Sequence, residues 1–561
     1  MEYIIFAIAM AGLVFLLMLK EVIGYKKSEK IFIEKLYKEY GVLPPREYKP
    51  GRLEIISHYF EKHKDGFFID DITWNDLDMD EVFKRMNYTY SAAGEEYLYY
   101  VLRKPCMEEA ELLKREKIID FISSHPDERV AFQLIYSKLG KTGKYSIYDY
   151  LDYLDGLGNR SNLQHYFALL LLLISIGVMF VNIPFGLVAF GIIMVYNNMS
   201  YFKVKNEIDP YITSFAYIFR LLEAVKKLQE HKSEVLSEEF KLLKKCSSSM
   251  NGFKTGSFLL MSTGRMSGSG NPIDILLDFI RMGFHLDLIK FNQMLSEVRK
   301  HISDIDLMIT TVGKIEAMIA VGAYRTSLDS YCVPVFSKKL EINAEGMYHP
   351  LLDNPVKNSL RTKSSVLITG SNASGKSTFL KTVALNSIFA QTIHTCLAEN
   401  YSGSMFRIIS SMSLRDDVQG GESYYMVEIR ALKRIMNMVK EEGEPVLCFV
   451  DEVLRGTNTV ERIAASTQIL KNMSAGNCLC FAATHDIELT YLLEQIYENY
   501  HFSEEFEGND IYFTYKIING RAQTRNAIKL LGIMGFSTEI IDVAEAMAGN
   551  FLETGVWQML D

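Results

Sequence analysis

Val366-Leu367-Ile368-Thr369-Gly370-Ser371-Asn372-Ala373-Ser374-Gly375-Lys376-Ser377-Thr378 is the run around which the rest of the chain is arranged. Four apolar or β-branched residues, then G-x-x-x-x-G-K-S, then Thr378-Phe379-Leu380-Lys381-Thr382-Val383-Ala384-Leu385 read as a buried strand, a phosphate loop and a helix. The glycines allow a tight turn in which successive N–H groups point at phosphate oxygens, and the helix N-terminus adds partial positive charge. The spacing sets Lys376 against the β and γ phosphates of a nucleotide and Ser377 on Mg2+. A Gly/Ser surface turn would lack the flanking strand and helix, so a nucleotide-binding core, with ATP and Mg2+, is the expectation.

Two further strand ends carry polar groups. Val446-Leu447-Cys448-Phe449-Val450-Asp451-Glu452 is a buried strand closing on two carboxylates. Behind a phosphate loop, Asp451 is placed to hold the Mg2+ shell and Glu452 to orient the attacking water. Such a pair is common by itself; its meaning comes from Gly370 to Ser377. Cys478-Leu479-Cys480-Phe481-Ala482-Ala483-Thr484-His485-Asp486 is a second such strand. A lone strand-end histidine is usually structural, but behind an Asp-Glu strand His485 is positioned to reach a γ phosphate. At Gly420-Gly421-Glu422-Ser423-Tyr424 a glycine turn leads into a helix, where Ser423 either caps the helix or offers its hydroxyl to a phosphate.

With 561 residues the chain has room for several domains. A net charge of −9 excludes a protein that binds nucleic acid through its overall charge, so any such contact needs a local basic surface or a dimer cleft. Seven cysteines show no metal-ligand spacing and no disulfide framework; Cys448 and Cys478 lie in apolar runs and read as small core residues of a reduced compartment. Apolar content of 48% is high for a soluble enzyme, and it concentrates in particular segments.

Tyr3 to Leu19 is almost unbroken apolar sequence followed by Lys20, Lys26 and Lys27, which reads as an uncleaved anchor with the rest of the chain in the cytoplasm. Tyr166 to Tyr196 carries no charge and breaks at Asn182-Ile183-Pro184, which reads as a hairpin of two short spans, with a buried helical hairpin as the competing view. Three membrane segments are therefore expected. Between and after them the chain is amphipathic and helical, and the lysine pairs 226/227 and 244/245 read as solvated faces. After Ser337 the texture changes to short strands, glycine turns and helices.

The motifs together resemble the MutS family of mismatch-repair ATPases, a branch of the ABC-type fold. The resemblance rests on Thr369 to Thr378, on Ser423-Tyr424-Tyr425-Met426-Val427-Glu428, on Asp451-Glu452-Val453-Leu454-Arg455-Gly456-Thr457-Asn458-Thr459 and on Ala483-Thr484-His485. No Leu-Ser-Gly-Gly-Gln signature of a transporter ATPase is present. Gly346-Met347-Tyr348-His349-Pro350-Leu351-Leu352 looks like the family's approach to the ATPase, and Leu530 to Ile541 like its closing dimer-contact helix. The resemblance implies a homodimer with each ATP shared between subunits. Ser423 would act in trans, and Asn372, Lys376, Ser377, Asp451, Glu452 and His485 in cis. Lys376, Glu452 and His485 are the implied catalytic set; Gly370, Ser371, Asn372, Ala373, Ser374, Gly375, Lys376, Ser377, Thr378 and Ser423 the nucleotide contacts; Ser377 and Asp451 the metal ligands. Glu399 stands where such ATPases carry a metal- and water-coordinating Gln. No mismatch-reading domain is recognised, and Phe60-Glu61-Lys62 does not fit the family's Phe-x-Glu wedge.

The expected fold is an α/β C-terminal phosphate-loop ATPase of the ABC/MutS type plus an all-α core and lever region with transmembrane helices. Its expected layout is an anchor at 1–24, helical core at 25–160, a membrane hairpin at 161–200, core and lever helices at 201–336, and the ATPase at 337–561. The expected function is a membrane-anchored motor able to bind DNA; the alternative is a membrane ATPase acting on a protein or lipid client.

Overall fold

The computed structural model describes residues 2–44, 47–143, 145–254, 282–371, 374–412, 424–507, 510–522, 528, 531, 535–557 and 559. The chain divides into two compact units: Met1–Lys64, Met86–Tyr100 and Lys117–Ser327 form the first, and Asp65–Arg85, Val101–Glu116 and Leu328–Asp561 the second. The second unit thus takes in two segments from within the stretch 25–160 that the sequence reading gave to the helical core.

The first unit is helical and organised around the helix Ile302–Thr326, in which every residue from Ile315 to Arg325 is buried. A helix apolar on all sides can only sit inside its bundle. The helix Ala92–Arg103 crosses it closely, because a Cβ on Gly313 would meet the carbonyl oxygen of Ala93 at 2.5 Å. Beside that crossing the buried Glu316 carboxylate accepts from the Ser91 N–H at 3.0 Å, from the Tyr90 N–H and from the Ser91 hydroxyl, satisfying free donors at the start of the neighbouring helix. Gly94 leaves room for it, since a Cβ there would stand 2.1 Å from Glu316 Oε2.

Burial pushes Glu316 up to about 7 from its ordinary 4.5, against the pull of those hydrogen bonds. Between these values the folded chain holds the proton more tightly than the unfolded chain. The group's contribution is therefore complete below about pH 4.5 and is lost as pH rises to 7, on the order of 3 kcal/mol in all. Glu316→Gln, uncharged at every pH, should abolish this slope, so that the variant gains on the wild type between pH 5 and pH 8 in helical melts followed by circular dichroism. Parallel stability curves would refute the assignment.

The expected anchor is part of one helix, Glu2–Lys38, which continues well past residue 24. Its C-terminal end is tied down by Tyr37, whose hydroxyl donates to Asp127, and by Glu29 on Lys138 at 2.6 Å. The hairpin is formed by Leu163–Met179 and Ile183–Leu228. Asn182 caps the second helix by accepting from the Phe185 N–H at 3.2 Å, and Pro184 occupies its first turn, where a missing N–H costs nothing. The boundary placed at 200/201 falls inside this second helix, which does not stop there. Lys203, Lys205 and Glu207 are charged, but an apolar face of Ile208, Phe215, Leu221, Leu222 and Val225 continues at helical spacing and is buried. Ile183–Ile208 is the single helix among the described residues long and apolar enough to cross a membrane. Leu163–Met179 is apolar as well and, at 17 residues, stands at the lower end of the length that crosses a bilayer. Most side chains of the expected anchor, residues 3–19, lie outside the described residues, so of the three expected spans the described residues offer one candidate of full length, Ile183–Ile208.

In the second unit the strands run β1 Val335–Phe336, β2 Ile342–Met347, β3 Asn358–Thr362, β4 Ser365–Thr369, β5 Asn400–Gly403, β6 Arg407–Ser411, β7 Val446–Asp451, β8 Cys478–Ala483, β9 Tyr497–Glu507 and β10 Asp510–Asn519. They form a four-stranded sheet, β1-β5-β2-β3, and a six-stranded sheet, β10-β9-β4-β8-β7-β6, parallel except for β10. Strands β4 and β8 are buried throughout and β7 all but its last residue, as their apolar interiors require of a sheet covered on both faces. β4 lies between β8 and β9 and runs parallel to both, so the carboxyl ends of the three strands lie on the same rim of the sheet. The free edge of β6 is covered by the helix Asp71–Asp76: Asp76 accepts from the Ser410 hydroxyl at 2.6 Å and the Met412 N–H at 2.9 Å, and Arg434 pairs with Asp70. The acidic stretch that follows Asp70 forms two helices, Asp71–Asp76 and Met79–Met86, separated at Asp78, whose φ is 51°.

Candidate functional site

The phosphate loop leaves β4 at Gly370 and enters the helix Lys376–Thr392 after Gly375; φ is 148° and 106° at the two glycines, conformations that exclude other residues. Space is also closed there, because a Cβ on Gly370 would meet Ser374 Oγ at 2.9 Å and the Phe502 carbonyl at 3.0 Å. Lys376 is buried and donates to the carbonyls of Gly370 at 2.9 Å and Ser371 at 2.7 Å. Burial pushes its pKa below the usual lysine range, although Glu452 and Asp451 pull the other way.

Strand register brings the acids to the loop. Asp451 pairs with Ala483 across β7 and β8, the Glu452 N–H donates to the Ala483 carbonyl at 2.9 Å, and the Thr484 N–H donates to Ile368 of β4 at 3.0 Å. Three strand ends therefore share one rim. Ser377 donates its hydroxyl to Asp451 Oδ2, while the buried Oδ1 has no partner. Burial raises the Asp451 pKa despite that bond. Glu452 sits at φ 55° and Leu454 at 59°, left-handed conformations held by the surrounding structure. The Glu452 carboxylate is clasped on both oxygens, by His485 Nε2 at 2.7 Å and by Arg455 Nε. Burial works to raise its pKa, but His485, Arg455 and Lys376 together hold it below the ordinary carboxylate value.

These groups open onto a cleft of about 690 Å3 lined by the loop residues Ser374 to Phe379 and by His349, Glu452, Arg455, His485 and Tyr515. Of the sequence-derived candidates, the structure gathers Gly370, Ser371, Ser374, Gly375, Lys376, Ser377, Thr378, Asp451, Glu452 and His485 at this place. His485 stands on Glu452 and 3.4 Å from Lys376. Asn372, Ala373 and Ser423 lie outside the described residues, as does the glycine turn at 420–421; the helix that follows begins at Tyr424. Part of the expected closing segment, Leu530 to Ile541, is outside them too, and its described end belongs to the helix Thr538–Thr554. Glu399 is not among the cleft's lining residues: it is half exposed and pairs with Lys357 at 3.1 Å.

Arg455, His349 and Tyr515 are among the lining residues to which the sequence assigns no role. Arg455 was in view within the run after Glu452, and the i, i+3 spacing could have exposed their pairing. His349 was in view within Gly346 to Leu352; burial and the Lys381 charge hold its pKa down to about 4, Nδ1 accepts from the Leu351 N–H at 3.2 Å, and the buried Nε2 is unpartnered. Tyr515 gave no signal, since only the antiparallel return of β10 brings it to the loop, 3.2 Å from where a Gly375 Cβ would stand.

Strand, glycine-flanked loop, buried lysine and strand-end acid together define a phosphate-loop nucleotide-binding domain. Residues 366–552 match the family model for MutS domain V. The chain is similar to the DNA mismatch repair protein MutS of Thermotoga petrophila (32% identical over 273 residues, 46% of this chain and 34% of the relative) and of Thermotoga maritima (33%, with the same shares). It is also similar to that of Thermus thermophilus (31% over 222 residues, 39% of this chain and 27% of the relative). The chain spans about a third or less of the length of these relatives. Through its nucleotide-binding domain it is related to the MutS family.

Proposed function

We propose that the chain is an ATP-binding and ATP-hydrolysing motor of MutS type, working as a homodimer and attached to a membrane through its apolar hairpin. The observation that carries the ATPase reading is Asp451, one oxygen on Ser377 and the other buried and unpartnered. A buried acceptor of this kind beside a hydroxyl fits Mg2+, which prefers oxygen ligands and retains water, and Ser377 and Asp451 are the residues that would hold it. When bound, Mg2+ supplies charge neutralisation on the β and γ phosphates. Lys376 binds the same oxygens as a buried cation. Glu452, kept ionised by His485 and Arg455, orients water and accepts its proton. His349 presents an Nε2–H donor to the ligand, because its Nδ1 already accepts from the backbone. Val356 and Tyr515 offer the cleft an apolar and an aromatic surface for the base. Ser423 of a second copy completes the site, so ATP binding closes the dimer and hydrolysis reopens it.

DNA binding is proposed from the mismatch-repair relatives and is tested by ATP turnover of the protein in lipid nanodiscs, titrated with homoduplex, mismatched and branched DNA at two salt concentrations. Salt-sensitive stimulation supports a nucleic-acid motor; turnover indifferent to every DNA discards that part and retains the ATPase. A second reading, a motor acting on a membrane protein or lipid client, is favoured by the hairpin. Phe180 and Val181 at its tip are 89% and 90% exposed, and Phe185, Ile192 and Met199 are also largely exposed. An apolar surface of this extent calls for a partner phase. Replacing the exposed mid-helix residues Leu170, Leu173 and Ile192 together by Asp should shift the protein from the floating to the soluble fraction in liposome flotation, at about 2.5–3.5 kcal/mol per centrally placed charge. Unchanged flotation would place the attachment elsewhere.

A further inference from the structure

Cys332 and Cys396 face each other across an isolated antiparallel bridge. Their backbones exchange both hydrogen bonds, Cys332 N–H to Cys396 O at 2.9 Å and Cys396 N–H to Cys332 O at 2.8 Å. In such a pair the Cα atoms stand about 5.5 Å apart with both side chains on one face, inside the range a disulfide spans without backbone movement. Cys396 holds Cys332 below the ordinary thiol range while burial works the other way, and the Cys396 thiol donates to the Asn386 carbonyl at 3.5 Å. Access is graded as well: Cys332 is half-buried and Cys396 fully buried. The first can meet a reagent in solution and only the first can reach the second.

We propose that Cys332 and Cys396 are a redox modification site, oxidised by a small-molecule disulfide such as oxidised glutathione and reversed by thiols. The Cys332 thiolate attacks one sulfur of glutathione disulfide; the protein–glutathione S–S bond forms, the glutathione S–S bond breaks, and one glutathione leaves as thiolate and takes up the Cys332 proton. Cys396, losing its proton, then attacks the Cys332 sulfur and expels the second glutathione, which takes up that proton. Two protein thiols become one disulfide, and one glutathione disulfide becomes two thiols. The bond closes a loop from 332 to 396 that contains β1 to β4, the phosphate loop and the helix behind it, so oxidation staples the nucleotide-binding region in a reversible way. The buried cysteines of the large sheet have no such route. Cys448 and Cys478 have sulfurs 3.8 Å apart, but both lie in the core, where no oxidant reaches them. Cys106, also half-buried, contacts the Glu108 carbonyl at 3.3 Å through its sulfur. The inference stands independently of the ATPase reading.

The test is to incubate the reduced, folded full chain with oxidised glutathione and map peptides under non-reducing conditions. The expected result is a linked pair of peptides carrying Cys332 and Cys396, an intact mass lower by two hydrogens, full reversal by dithiothreitol, and a thermal transition raised by several degrees in the oxidised form. Cys396→Ser should stop at a single glutathione adduct on Cys332, and Cys332→Ser should leave Cys396 unmodified, which separates the two steps without asking either variant to form the bond. A lasting glutathione adduct on Cys332 of the unaltered chain would overturn the proposal. So would linkage of Cys332 to any other cysteine, or absence of reaction at Cys332.

Discussion

Glu452→Gln is expected to lower ATP turnover by roughly 10²–10⁴-fold, the usual worth of a positioned general base, while nucleotide binding persists. Gln keeps the shape and an oxygen for His485, and it occupies the left-handed φ of 55° at no greater cost than Glu. What it loses is the charge that His485, Arg455 and Lys376 hold in place. That charge is needed when a proton leaves water, not when phosphates are bound, so the loss should fall on kcat rather than on nucleotide affinity. Single-turnover phosphate release beside equilibrium binding of ATP separates the two. Turnover within a factor of two of the unaltered chain would end the assignment of Glu452. In the homodimer reading the variant should also accumulate in the ATP-closed state, visible as a larger assembly only when ATP is present.

The core of this site was legible because each of its parts is local. A strand, a glycine-flanked loop and a helix follow one another without interruption from Val366 to Leu385, and each acid or histidine stands directly after its own apolar strand. Assembly then needed only parallel register, which places Asp451 beside Ala483 and Thr484 beside Ile368. What the sequence did not disclose depends on contacts far apart in the chain. Asp70 and Asp76 gave no signal, because their partners Arg434 and Ser410 lie 364 and 334 residues further along the chain. Composition misplaced a boundary for a related reason: the charges at 203–207 interrupt hydropathy but not the helix, whose apolar face resumes at Ile208. Glu399 shows the limit of position-by-position transfer, since its carboxylate turns to Lys357 rather than lining the cleft.

Lys376→Ala separates stability from binding more sharply than any other change. The buried ammonium has a pKa below its ordinary value, which means that burial costs it more than Asp451 and Glu452 return. Removing it should therefore change the stability of the nucleotide-free protein little, because relief of the buried charge offsets the hydrogen bonds lost at the Gly370 and Ser371 carbonyls. Binding should behave in the opposite way. A buried cation contacting phosphate oxygens makes charge-assisted hydrogen bonds worth more than neutral ones, and Ala supplies neither charge nor donor. A rise in the ATP dissociation constant of about 100-fold is expected, equivalent to about 2.7 kcal/mol. Arg should not rescue it, because its planar fork is too large for a pocket in which a single ammonium already spans the Gly370 and Ser371 carbonyls. Thermal melts with and without MgATP read both quantities in one experiment: the ATP-dependent rise should vanish in the variant while the nucleotide-free transition holds. An unchanged rise would show that the phosphate loop binds its ligand without Lys376, and a nucleotide-free transition lowered by many degrees would show that the lysine is structural.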